Sequence, residues 1–182
     1  MKKSLEIRAI YNKNSDMKLL SFVDEVDKEI LRQPRGGCIA GSIQPDISMF
    51  DLVGHLVYAG IFLYQILHRK GVKANYNKNF LNMRVDMRPN PSESYENLKS
   101  LLMKFDDALI EFTQTVDLST IDLEDYPTPP AGNFFAPSPA SWLEHLFSHQ
   151  IHHRGQISQI LSELDVGYDI SQFRIYAFTN DL

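Results

Sequence analysis

Apolar residues return along this chain mostly at intervals of three and four, the spacing that gathers them on one face of an α-helix. The first such stretch runs from residue 5 to about 32, with Ile7, Ile10, Tyr11, Met17, Leu20, Phe22, Val23, Val26, Ile30 and Leu31 inward and Asp24, Glu25, Asp27, Lys28 and Glu29 outward. A polar run from Asn12 to Asp16 interrupts it, and either loosens the helix or marks its true start. Pro34, Gly36 and Gly37 stop it, and residues 38–48 read as a loop. Ser48 and Asp51 then offer a capping pair for a second helix over about 49–70, whose stripe is Leu52, Leu56, Ala59, Leu63 and Ile66, widened by Phe62 and Leu67.

A long connection over residues 71–92, rich in asparagine and holding Pro89 and Pro91, leads to a third helix over about 92–116. Its inward residues are Tyr95, Leu98, Leu101, Leu102, Phe105, Ala108, Leu109 and Phe112. Six prolines and glycines between Asp117 and Pro139 forbid a helix interior there, and Asn133, Phe134 and Phe135 either line a pocket mouth or anchor the loop. The fourth helix starts after an N-cap at Ser138 or Ser141, the latter with Glu144 three residues on, and ends near Gly167. Beyond it, residues 172–178 alternate weakly like a strand with no partner, which predicts an extended tail packed on the helices or on a second subunit.

Four amphipathic helices with long connections predict an all-α fold, a four-helix bundle with a short extended C-terminal tail, in one domain spanning 1–182. At 43% hydrophobic residues the chain can fill one core, and two domains would be cramped. A net charge of -5 without any Lys/Arg block excludes a binder of nucleic-acid backbones. The longest apolar runs are broken by Gly, His, Tyr or Gln and the charged start lacks a signal-peptide core, so the expectation is a cytoplasmic protein without a membrane span. Cys38 is the single cysteine, which rules out an internal disulfide framework and a thiolate-rich metal site. With no base nearby in sequence, it reads as a small loop residue rather than a nucleophile.

Candidate chemistry concentrates in the fourth helix, where His145, His149, His152 and His153 fall within nine residues. At about 100° per residue, His149 and His153 stack on the apolar side, while His145 and His152 lie at its edge. His55 sits inward on the second helix, three after Leu52 and four before Ala59. Inward imidazoles must satisfy both ring nitrogens, and either core hydrogen bonds or a shared metal ion does so. Three neutral histidines with an open position suit catalytic zinc, and nickel, iron or cobalt would accept the same set. Gln150 stands where a metalloprotease HExxH motif has its glutamate, which removes the base for peptide hydrolysis by that route. Gln156 is inward and serves either a metal-bound ligand or the core, and His68 lies at an exposed helix end.

The run His145-x3-His149-x2-His152-His153-Arg154-Gly155-Gln156-Ile157 resembles the last-helix signature of the DinB/YfiT-like superfamily of metal-dependent enzymes. Gly41-Ser42-Ile43 followed by Leu52-x2-His55 is similar to that family's second-helix region, and Tyr11-Asn12 is compatible with its start. The resemblance covers most of the chain and implies metal ligands His55, His149 and His153. His145 and His152 also occur in the family pattern, which places them at the rim in support of the site. Arg154 points away from the site on the helical wheel, which predicts a structural role such as an ion pair with an acidic loop or partner subunit, and Gly155 is expected to allow close helix approach. Members of the superfamily include thiol-dependent transferases and a thiol-dependent isomerase, and many pair as homodimers. The resemblance therefore implies a divalent transition metal, zinc first, and a small-molecule substrate with a low-molecular-weight thiol. Alternatives are a metal-dependent hydrolase and a non-catalytic protein whose metal holds the helices together.

Overall fold

The structure, a computed structural model, describes residues 2–39, 41–121 and 138–166. Four long helices carry the fold: α1 (Lys2–Val23), α3 (Met49–Arg69), α5 (Tyr95–Thr115) and α6 (Pro139–Glu163). Two short ones, α2 (Lys28–Leu31) and α4 (Lys78–Leu81), and a hairpin of β1 (Gly37–Ile39) with β2 (Ser42–Gln44) occupy the connections. α1 packs on α5, α5 on α3, α3 on α6 and α6 on α1, so the four long helices close into a ring around a shared apolar centre.

Side-chain caps set the helix starts. Ser48 accepts the Asp51 N–H and Asp51 accepts the Ser48 N–H, the reciprocal pair expected for α3. Ser94 caps α5, and Ser138 rather than Ser141 caps α6, with Pro139 in its first turn. Glu144 is free of any capping duty and forms an ion pair with Arg8 of α1 instead.

Three departures from the sequence reading stand out. The first helix does not run to residue 32: it ends at Val23, and Asp27 accepts the Glu29 N–H to begin α2 afresh. The polar run Asn12 to Asp16 neither loosens α1 nor starts it, because Asn12, Ser15 and Asp16 are buried inside the ring, whereas Met17 is exposed. Residues 38–48 are not a plain loop. Cys38 pairs with Ile43 in the antiparallel hairpin, and Gly36 and Gly41 take the positive φ values of 80° and 77° that its turns need.

By length and composition α3 is the one described helix that could cross a membrane, yet 83% of its most apolar window is buried within the fold. It also turns His55 and Gln65 inward, as the central helix of a packed core does. The expected pocket residues 133–135 and the expected extended tail lie outside the described residues.

Candidate metal centre

α3 and α6 lie side by side, and two devices fix their register near the histidines. Gly60 lets the helices close up, since a Cβ there would lie 2.7 Å from Gln150 Nε2 and 2.7 Å from Phe105. Into that space Gln150 reaches across and donates to the Leu56 carbonyl at 2.9 Å. The residue that replaces a protease glutamate is therefore a buried tie between helices, anchored on Leu56, the neighbour of His55 in the chain.

With the register fixed, His55 of α3 faces His149 and His153 of α6. Ring centroids lie 5.0 Å apart for His55 and His149, 4.5 Å for His55 and His153, and 4.3 Å for His149 and His153. One nitrogen from each ring can be chosen so that all three lie within 4.8 Å of one another.

Hydrogen bonds decide which nitrogens those are. His55 Nδ1 lies 2.8 Å from the Met87 carbonyl oxygen, which can only accept, so Nδ1 carries the proton and Nε2 the lone pair. His153 Nδ1 meets Gln156 Oε1 at 2.7 Å, with the same result. His55 Nε2 is buried with no hydrogen-bond partner, and Nε2 of His149 and His153 face each other at 3.1 Å.

Without an ion, one of the facing His149 and His153 nitrogens must donate to the other while His55 Nε2 stays unsatisfied, whereas a cation among the three Nε2 atoms would satisfy all of them. Two nitrogens bound to one tetrahedral zinc at about 2.0–2.1 Å stand roughly 3.3 Å apart, close to the observed separation. The donor set thus fits a divalent transition metal, held through Nε2 of His55, His149 and His153. Among the described residues no further His, Cys, Asp or Glu joins the cluster.

Electrostatics favour neutral rings. Burial, and then the neighbouring histidines, push His149 down to about 2 and His153 down to about 4, and burial lowers His55 as well. Imidazoles that resist protonation keep their lone pairs available.

The three nitrogens open on a cavity of about 450 Å³. Ala59, Phe62, Leu63, Met87 and Trp142 give it apolar walls, and Cys38 of the hairpin also lines it. His145 and His152, both exposed, line the same cavity, and burial of part of the His145 ring lowers its pKa. Their rings lie 5.6 Å from His149 and 4.8 Å from His153 respectively. Gln156 lies within hydrogen-bond distance of His153 Nδ1, whereas His68 packs on Tyr76. Sequence reasoning missed Met87, which acts through its backbone carbonyl and leaves no side-chain signature, and it undervalued Cys38.

Arg154 needs the largest correction among the expected supporting residues. It is 1% exposed inside the ring, and its ion-pair partner among the described residues is on a helix, Asp16 of α1, rather than in a loop. Its Nη1 donates to Asp16 Oδ1 at 3.1 Å and to Asn12 Oδ1 at 2.7 Å, both on α1. Asn12 Nδ2 in turn donates to Asp16 at 3.0 Å and to Asp106 of α5 at 2.8 Å. One guanidinium among two buried carboxylates balances only one of them. Burial raises both aspartates, and the charge of Asp16 pushes Asp106 up further, so Asp106 is the one of the two held more strongly toward its protonated form.

Gly155 is also unlike its expected role. It is exposed, and a Cβ added there would meet nothing within 4 Å, so it does not mediate helix approach. Gly60 of α3 does, against Gln150 and Phe105, while Gly54 admits Pro89 of the following connection.

Compared with known proteins, the chain matches the sequence profile described as the DinB family over residues 1–175. No curated protein and no solved structure matches it.

Proposed function

The chain belongs to the DinB family, and from that membership and its three converging imidazoles we propose a metal-dependent enzyme that joins a low-molecular-weight thiol to an apolar electrophile. The observation that carries the proposal is the buried, unpartnered Nε2 of His55, facing the paired His149 and His153 at the floor of an apolar cavity. A divalent metal there, zinc before nickel or iron, supplies the Lewis acidity that turns a thiol into a nucleophile near neutral pH. The chain's own residues do the rest. His55, His149 and His153 hold the ion, Met87 and Gln156 fix the rings of His55 and His153, and the walls of Phe62, Leu63 and Trp142 exclude water and receive the apolar part of the substrate. His145 and His152 stand at the cavity wall, where either can carry the thiol proton out to solvent.

Two features weigh against a purely structural metal. A closed site needs a fourth protein ligand, and no candidate joins the cluster among the described residues; a cavity of about 450 Å³ also adjoins it. Hydrolysis is the second reading. It needs an activated water and a nearby base, for which His145 and His152 are the candidates, but the apolar walls fit an apolar electrophile better.

The test is to load untagged protein with zinc, nickel or iron and assay a panel of small thiols against chlorodinitrobenzene. In the expected reaction sulfur bonds to the ring carbon, chloride leaves with the bonding pair, and the thiol proton passes to solvent. Turnover should require metal and vanish in His153→Ala. Turnover at the metal-loaded wild-type rate in His153→Ala or in metal-free protein would overturn the proposal.

A further inference from the structure

A second cleft, again of about 450 Å³, lies between the hairpin and α6, and His152 lines both it and the metal cavity. Its character is the opposite of the first. Arg35, Gln156, Gln159 and Glu163 line it, with Gly155 on the helix side.

Gly155 is the informative residue. A glycine in a helix interior costs about 1 kcal/mol relative to alanine, so it needs a reason. Close packing among the described residues is not the reason, since its Cβ would meet none of them within 4 Å. The bare backbone instead leaves the helix side of the cleft open between His152 and Gln156, where a side chain would fill it. The charges are complementary to a ligand rather than to each other. No ion pair of Arg35 or Glu163 occurs among the described residues, and Glu163 accepts only the Gln159 amide, at 3.1 Å.

We propose that this cleft is a subsite for a small zwitterionic group of the amino-acid type, its carboxylate on Arg35 and its ammonium on Glu163, lying over Gly155. Resting on the thiol-transfer reading, the inference assigns the polar body of the thiol to this cleft, with its sulfur reaching past His152 to the metal cavity. The apolar partner then occupies the first cavity and the polar partner the second. Gln156 belongs to both, as a wall of the cleft and as the hydrogen-bond partner of the ligand His153.

The test uses capped probes that need no metal, so it succeeds or fails independently of the catalytic reading. S-methylcysteine, with both charges, is titrated into the isotope-labelled full chain and amide shifts are followed by NMR. S-methylcysteamine, without the carboxylate, and methylthiopropionate, without the ammonium, serve as comparisons. The expected result is saturable shifts at Gly37, Gly155 and Gln156 with S-methylcysteine, and at least tenfold weaker binding of either comparison. Arg35→Gln should remove the preference for the carboxylate. Gly155→Leu should keep or raise the melting temperature, because leucine is the better helix former, and abolish the shifts. Equal shifts with all three probes, no shifts up to the solubility limit, or unchanged binding in Arg35→Gln would each overturn the inference. Loss of thiol turnover with these shifts intact would instead count against the catalytic reading alone.

Discussion

The carbonyl oxygen of Met87 sits 2.8 Å from Nδ1 of His55, so a residue in the long connection after α3 fixes the ring of a proposed ligand on α3. Pro89, two residues further on, packs against Gly54, where a Cβ would lie 2.5 Å from the proline Cγ. The connection is thus pressed onto the helix within one residue of the ligand. Gly54→Ala should cost about 1–3 kcal/mol through overpacking and should also displace Met87. Urea unfolding reads the first effect and competition with a chelator the second. Unchanged metal affinity in a destabilised variant would show that the Met87 contact tolerates the shift.

Metal content tests the ligand set directly. Wild-type protein supplied with zinc should hold about one equivalent per chain, and metal should raise its melting temperature in proportion to the logarithm of free metal. His149→Ala should hold none, since only two nitrogens of the cluster remain. His68→Ala, altered at an exposed ring that packs on Tyr76, should match wild type. Equal loss in both variants would sink the assignment.

Gln156 tests the support beneath a ligand. Gln156→Leu removes the oxygen that accepts from His153 Nδ1 but leaves a residue of similar size at a half-buried position. Metal affinity should fall about 10–100-fold, with helix content by circular dichroism unchanged. Gln156→Glu restores an acceptor and should restore the affinity.

Asp106 gives the chain a distinctive pH dependence. Its pKa lies well above the ordinary 3.8, through burial first and the charge of Asp16 second. Below that ordinary value, folded and unfolded chains both hold the proton. Above it the unfolded chain releases the proton while the folded chain keeps it, so this group's contribution to stability declines as pH rises until the folded pKa is passed. Asp106→Asn cannot titrate and keeps an oxygen for the Asn12 amide. Its stability relative to wild type should therefore grow from acidic toward neutral pH in urea titrations. A constant difference across that range would show that Asp106 is ionised in the folded protein.

Much of this was written in the spacing of residues. Leu52, Leu56, Ala59 and Leu63 mark α3, and the reciprocal cap of Ser48 and Asp51 marks its start to the residue. The i,i+4 pair His149 and His153, with His55 on an apolar stripe, located the three nitrogens, because helical geometry converts such intervals into directions. α1 escaped the same logic because its inner face carries Asn12, Ser15 and Asp16, whose partner Arg154 lies 138 residues beyond Asp16. Polar groups that satisfy one another across helices look like a solvent-facing patch when only one helix is read. The hairpin escaped because its strands are three residues long, too short to show alternation, and Met87 because a backbone carbonyl belongs to every residue.

His153 and Arg154 are consecutive, so they leave α6 about 100° apart: one faces the cavity of the histidine cluster, the other the bond with Asp16 and Asn12. Any turn of α6 about its own axis that re-aimed His153 would drag the guanidinium away from its buried carboxylate. The pair acts as a key in a slot, giving the helix resistance to torque at the very position where a ligand must hold its aim. An arriving ion would then meet rings already set at their angles, and the chain would have little left to rearrange.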